Sequence, residues 1–83
     1  MSPKFLTMDG FTFKIYSLEE DRMHIHVVKA GNEAKFWLEP QIDLAENYGF
    51  SSKELRKIED IINAYGNRFK EQYAAHIGRR SDD

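Results

Sequence analysis

The feature that most constrains this chain is a change of hydrophobic period partway along it. Residues 4 to 39 alternate apolar and polar side chains, whereas residues 51 to 77 repeat at three-four spacing. A period of two belongs to strands with one buried face, and a period near 3.6 to an amphipathic helix. Eighty-three residues leave room for a single domain with a small core, so the two halves must bury their apolar faces on each other. The expected fold class is α+β: a four-stranded antiparallel β-meander over about 4–39, a long C-terminal helix over about 51–77 packed on one face, and a polar tail at 78–83.

Turn chemistry divides the first half. "KFLTM" and "FTFKIYS" flank Asp9 and Gly10, a pair that tolerates the positive φ of a type I′ hairpin turn. A charged connection, "LEEDR", leads to a third strand, "MHIHVVK". Gly31 and Asn32 then serve as turn residues before a fourth strand, "AKFWLE", which Pro40 ends. Three rows share the face expected to be inside: Phe11, Phe13 and Ile15; Met23, Ile25 and Val27; Ala34, Phe36 and Leu38. The segment "PQIDLAENYG" is readable either as a short strand or as one helical turn.

"FSSKEL" marks the helix start. Ser51 as N-cap and Glu54 at N3 form a capping box, with Phe50 and Leu55 as the hydrophobic staple. Leu55, Ile58, Ile62, Tyr65, Phe69 and Tyr73 then make the apolar stripe, widened by Ile61. Gly66 costs about 1 kcal/mol of helix propensity relative to Ala and predicts a bend or break near "YGN". An unbroken helix would run about 40 Å at 1.5 Å per residue. Its last turns, "FKEQYAAHI", are then expected to overhang the sheet and meet a partner.

Charge and composition narrow the functional classes. Twelve basic against 14 acidic residues give a net charge of −2, which argues against strong nonspecific binding to nucleic acid but is compatible with a local basic patch. The absence of cysteine excludes disulfides and thiolate metal sites and fits a cytoplasmic protein. No signal-like or membrane-spanning run is present, so no membrane association is expected. Gly-rich phosphate loops, a nucleophile elbow and paired carboxylates at catalytic spacing are absent as well.

The chemistry-bearing residues gather on the opposite side of the sheet from the core rows. His24 and His26 stand at i and i+2, hence on one side of a strand, with Lys14 and Tyr16 on the preceding strand and Lys35 and Trp37 on the following one. Two imidazoles that titrate near neutrality suit acid/base work on a phosphodiester, with a lysine holding phosphate. They also suit two positions of a metal site, but a third ligand is wanting: His76 lies far off on the helix, and Glu39 is reachable only by register. The simplest reading is a polar face that needs polar residues. Lysine, tyrosine and tryptophan on a sheet equally fit base stacking or a protein-binding surface.

"EAKFWLEP", "LAENYGFSSKEL" and the H-x-H strand together resemble the bacterial domain-of-unknown-function family 4160, over nearly the whole chain. Members typically carry proline-proline-His-x-His-Val in the third strand. Here Asp21, Arg22 and Met23 stand where the prolines and their neighbour would be, while His24, His26 and Val27 match. The resemblance implies no established activity. It implies a small protein encoded beside a family 2442 partner, in the manner of a toxin–antitoxin pair. The expected function is thus an interaction module with a protein partner or a second copy, with no cofactor and no metal. The alternatives are a small RNA-binding or RNA-cleaving toxin using His24 and His26 as acid and base, and a metal-binding protein.

Overall fold

A computed structural model describes residues 4–15 and 22–81, with side chains described as far as residue 75. The chain runs β1 (Lys4–Met8), β2 (Phe11–Lys14), β3 (His24–Lys29), β4 (Asn32–Trp37), β5 (Asp43–Tyr48) and α1 (Ser52–Ser81). The strands form one antiparallel sheet in the order β1-β2-β3-β4-β5. The α+β class and the long helix are as expected, but the sheet has five strands rather than four. "PQIDLAENYG" resolves as a strand because Leu44 pairs with Phe36 and Glu46 with Lys35, which extends the inner and outer faces by one strand. The connection "LEEDR" falls mostly outside the described residues, as does Tyr16.

Both tight hairpins follow from their turn residues. Met8 pairs with Phe11 across Asp9 and Gly10, whose φ values are 55° and 84°. The second turn is Ala30-Gly31, not Gly31-Asn32: Lys29 pairs with Asn32, and Ala30 and Gly31 take φ of 52° and 85°. Positive φ at both central residues is what a type I′ turn demands. An alanine in that region is strained, because its Cβ crowds the following carbonyl.

The core lies between the inner sheet face and one stripe of α1. Phe11, Phe13, Ile15, Ile25, Val27, Ala34, Phe36 and Leu38 are buried from the sheet, against Ile58, Ile61, Ile62, Phe69 and Tyr73 from the helix. Phe69 stacks on Phe13, with centroids 5.4 Å apart, and tilts against Phe5 at 6.3 Å. The helix passes Gly66 without interruption. Gly66 is buried, and a Cβ there would stand 3.9 Å from Ile42 Cδ1, an ordinary contact, so its place in the fold is a packed one rather than a break.

The β5–α1 junction is locked by side chains. Phe50 N donates to Asn47 Oδ1 at 3.1 Å, and Asn47 Nδ2 donates to the Phe50 carbonyl at 3.0 Å. Between them Gly49 holds φ at 106°, and a Cβ there would run into Asn32 Oδ1. Glu54 N donates to Ser51 Oγ at 3.1 Å while Ser51 N donates to Glu54 Oε1 at 3.0 Å, the reciprocal pair of a capping box. The backbone hydrogen bond from Ser51 holds the Glu54 carboxyl below its ordinary value of 4.5.

Two stability predictions follow from these local geometries. Ala30→Asn converts the strained turn into Asn-Gly and should stabilise the fold by about 0.5–1 kcal/mol; a urea midpoint that stays put or falls would show that Ala30 is unstrained. Because the Glu54 carboxyl is lowered on folding, its contribution is present above pH 4.5 and is lost as pH falls through the folded value. The stability gap between wild type and Glu54→Ala should therefore be constant near neutrality and narrow on acidification below that range. Denaturation curves taken across that range check the sign.

Candidate functional site

The outward face is organised by register. Lys4 pairs with Lys14, Lys14 with His26, His26 with Lys35, and Lys35 with Glu46, so one row crosses all five strands. At about 4.8 Å between strands, Lys4 and Lys35 end up about 14 Å apart. Like charges placed directly opposite each other on a sheet are destabilising. Within the row only Lys4 and Lys14 are lysines directly opposite each other; Lys35 faces Glu46 on its other side, and His26 lies beside Glu33. The structure brings together Lys14, His26 and Lys35 as expected, and adds Lys4 at one end and Glu46 at the other.

The two histidines lie on the outward side but are not wet. His24 is fully buried and His26 is 8% exposed. The expectation of a solvated strand face fails here because β3 is central: His24, Ile25, His26 and Val27 are all buried, so the strand is covered on both sides. His24 packs edge-on against His26 at 5.3 Å, Trp37 at 6.1 Å and Tyr73 of the helix at 5.5 Å. Its Nδ1 lies 2.6 Å from the Arg22 carbonyl. A carbonyl only accepts, so Nδ1 carries the proton and, in the neutral ring, Nε2 carries the lone pair. The Tyr73 hydroxyl donates to the same carbonyl at 3.4 Å. His26 Nδ1 stands 3.2 Å from Glu33 Oε2, a close contact that lacks the alignment of a hydrogen bond.

Trp37 is half-buried beside them and is flanked by cations. The Arg22 guanidinium carbon sits 4.0 Å from the indole centroid and the Lys35 ammonium 4.6 Å from it. Arg22 is held there by Nε donating to the Glu39 carbonyl at 2.9 Å, and the Glu39 carboxylate pairs with Lys70 at 2.7 Å. Each such contact is worth about 0.5–2 kcal/mol, depending on desolvation. Arg22, Glu33 and Tyr73 are therefore members of the site that sequence reasoning passed over. Glu33 was findable: with the turn at Ala30-Gly31, it lies diagonally from His26 on the same face. Arg22 and Tyr73 carry no such signal, since they reach the site by tertiary packing.

As for metal chemistry, no cluster of three His, Cys, Asp or Glu side chains able to hold an ion occurs among the described residues. The Glu39 carboxylate, reachable by register with the turn one residue later, is the one that Lys70 engages, and the His76 side chain lies outside the described residues. No described helix is long and apolar enough to cross a membrane.

The packing assigns His24 a structural weight that can be measured. His24→Ala removes a buried ring and its hydrogen bond to the Arg22 carbonyl, and should cost about 2–4 kcal/mol of stability. Lys35→Ala, at a partly exposed position, should stay within about 1 kcal/mol. Equal losses in urea unfolding would mean that His24 is not the packed group described.

Comparison with known proteins bears on the whole of this architecture rather than on one residue. No curated protein and no solved structure matches the chain. A family model does match, over residues 10–74, and so takes in β2 to β5, the paired histidines, Trp37 and the helix as far as Ala74. The chain belongs to the family described as domain of unknown function (DUF4160).

Proposed function

We propose that the chain is an interaction module whose outward sheet face docks an acidic segment of a partner protein, in a two-gene pair of toxin–antitoxin type. The observation that carries this reading is the in-register row Lys4–Lys14–His26–Lys35, with Trp37 beside it under Arg22 and Lys35. Three lysines aligned on one sheet face offer electrostatic complementarity to an anionic surface. A tryptophan and an arginine in contact are, moreover, the residue types that anchor protein interfaces most often.

An acidic protein suits the face better than RNA does. A base that stacked on Trp37 would compete with the guanidinium and ammonium already over the indole. Acid/base catalysis is disfavoured by burial, because a ring fully out of solvent cannot meet a phosphodiester without rearrangement of Trp37 and Tyr73.

The test is co-expression with the neighbouring gene product followed by size-exclusion chromatography and a binding titration. Wild type should co-elute with its partner, and added salt should weaken the complex. The double charge reversal Lys14→Glu, Lys35→Glu should lower affinity at least tenfold without loss of folding. Independent elution of the two wild-type proteins would sink the reading. So would RNA cleavage by the isolated chain that a folded His24→Gln, His26→Gln variant loses, which would restore the histidines as acid and base.

A further inference from the structure

The sheet has two edges, and they are not alike. Both edge strands carry a register shift, at Lys4/Leu6 in β1 and at Leu44/Glu46 in β5, but the Phe5 carbonyl of β1 already accepts Arg68 Nη2 from the helix at 3.4 Å. β5 pairs with β4 on one side, and among the described residues nothing pairs with its other side. Five of its six residues are exposed, including Leu44 at 45% and Tyr48 at 65%. An exposed edge strand presents unpaired backbone donors and acceptors, which is a template for one more strand.

Side-chain chemistry says what that strand must look like. On the outward side of β5 stand Asp43, Glu46 and Tyr48, opposite Trp37, Lys35 and Glu33. The strand carries two carboxylates and no cation. On the inward side, Leu44 pairs with Phe36 and borders an open groove of about 270 Å³, lined by Phe36, Leu44, Leu55, Ser52, Arg56 and Glu59. That is small beside ligand pockets of about 300 Å³ and upward, and its apolar floor lies one strand-spacing from where the next inward side chain would project. A second copy of β5 fits badly, since self-pairing would line four carboxylates along one seam.

We infer that the β5 edge is a strand-addition site for an extended segment of another protein, bearing lysine or arginine on its outward side and an apolar residue that enters the Leu44–Leu55 groove. Backbone pairing supplies the attachment, and the two faces supply the selectivity: cations opposite Asp43 and Glu46, an aliphatic anchor between β5 and the first turns of α1. The edge is distinct from the lysine row, which lies on β1, β2 and β4 and has the opposite sign.

The probe is a capped hexapeptide alternating lysine and valine, titrated into the full chain and followed by amide shifts in two-dimensional NMR. Saturable shifts should concentrate at residues 43–48 and 52–59. The glutamate–valine counterpart and the variant Glu46→Lys should each weaken binding at least tenfold. Two N-methylated versions of the lysine–valine peptide, blocked on alternate residues, should differ: the one methylated on the pairing side loses binding and the other keeps it. The Lys14→Glu variant, on β2 and three strands away from β5, should bind the peptide as wild type does, which separates this site from the outward face. Shifts outside β5 and the start of α1 would overturn the inference, and so would equal binding by the two methylated peptides. A free-chain dimer that Glu46→Lys stabilises or dissolves would give the edge to a second copy and likewise overturn it.

Discussion

One helix has to cover one face of a five-stranded sheet, and much else in the molecule is a consequence of that mismatch in width. Five strands span about 19 Å at 4.8 Å per gap, while a helix with its side chains is about 10–12 Å across. The helix therefore cannot seal the whole face. Its first turns start beside Leu44 at the β5 side, its middle packs Phe69 on Phe13 and Phe5, and Tyr73 reaches His24 at the start of β3. This path buries the centre and the β1–β2 side well. It leaves the corner between β5 and the first turns open, which is why Leu44 is inward-facing by register and yet half exposed.

The path is set at the junction before the helix. Asn47 brackets Phe50 through two hydrogen bonds, Gly49 supplies a φ that an L side chain rarely adopts, and Ser51 and Glu54 cap the first turn. Phe50 is thereby pinned edge-on against Phe11 at 5.8 Å, close to the first hairpin. Chain direction, capping and core packing are one linked arrangement over residues 47–54. That explains why "ENYGFSSKEL" reads as motif-like: the local rules for turn, staple and cap all apply to it at once.

Much of this was legible in the sequence. The inner rows of β2, β3 and β4, the helix stripe and the capping box are dictated by period and by residue type, and the structure places them as the periodicity says. Three things were not legible, each for a physical reason. β5 reads poorly because a half-exposed edge strand with a bulge between Leu44 and Glu46 lacks clean alternation. The second hairpin turn sits one residue earlier than Gly31-Asn32 because the fold tolerates a strained alanine at φ 52°. That small change moves every cross-strand partner by two: His26 faces Lys35 instead of Trp37, and His24 faces Trp37 instead of Glu39. Faces are preserved and neighbours are exchanged. The burial of the histidines was hidden for a third reason. Alternation tells which side of a strand a residue occupies, but not how much of that side Trp37 and Tyr73 cover.

The distribution of charge then separates two surfaces on one small sheet. The outward row carries lysines on β1, β2 and β4 with His26 between them, and turns acidic at Glu46, where the edge begins. Glu33 beside His26 is the acidic member within the lysine part of the face, and the remaining carboxylates stand on β5. The Lys4–Lys14 pair sets like charges opposite each other and β5 stands exposed at the edge, and neither is needed to hold the core together. Interactions that a fold does not need for stability are where sequence and structure point beyond folding. In this chain packing explains the paired histidines, whereas the lysines around them and the exposed strand beside them go beyond what the core requires.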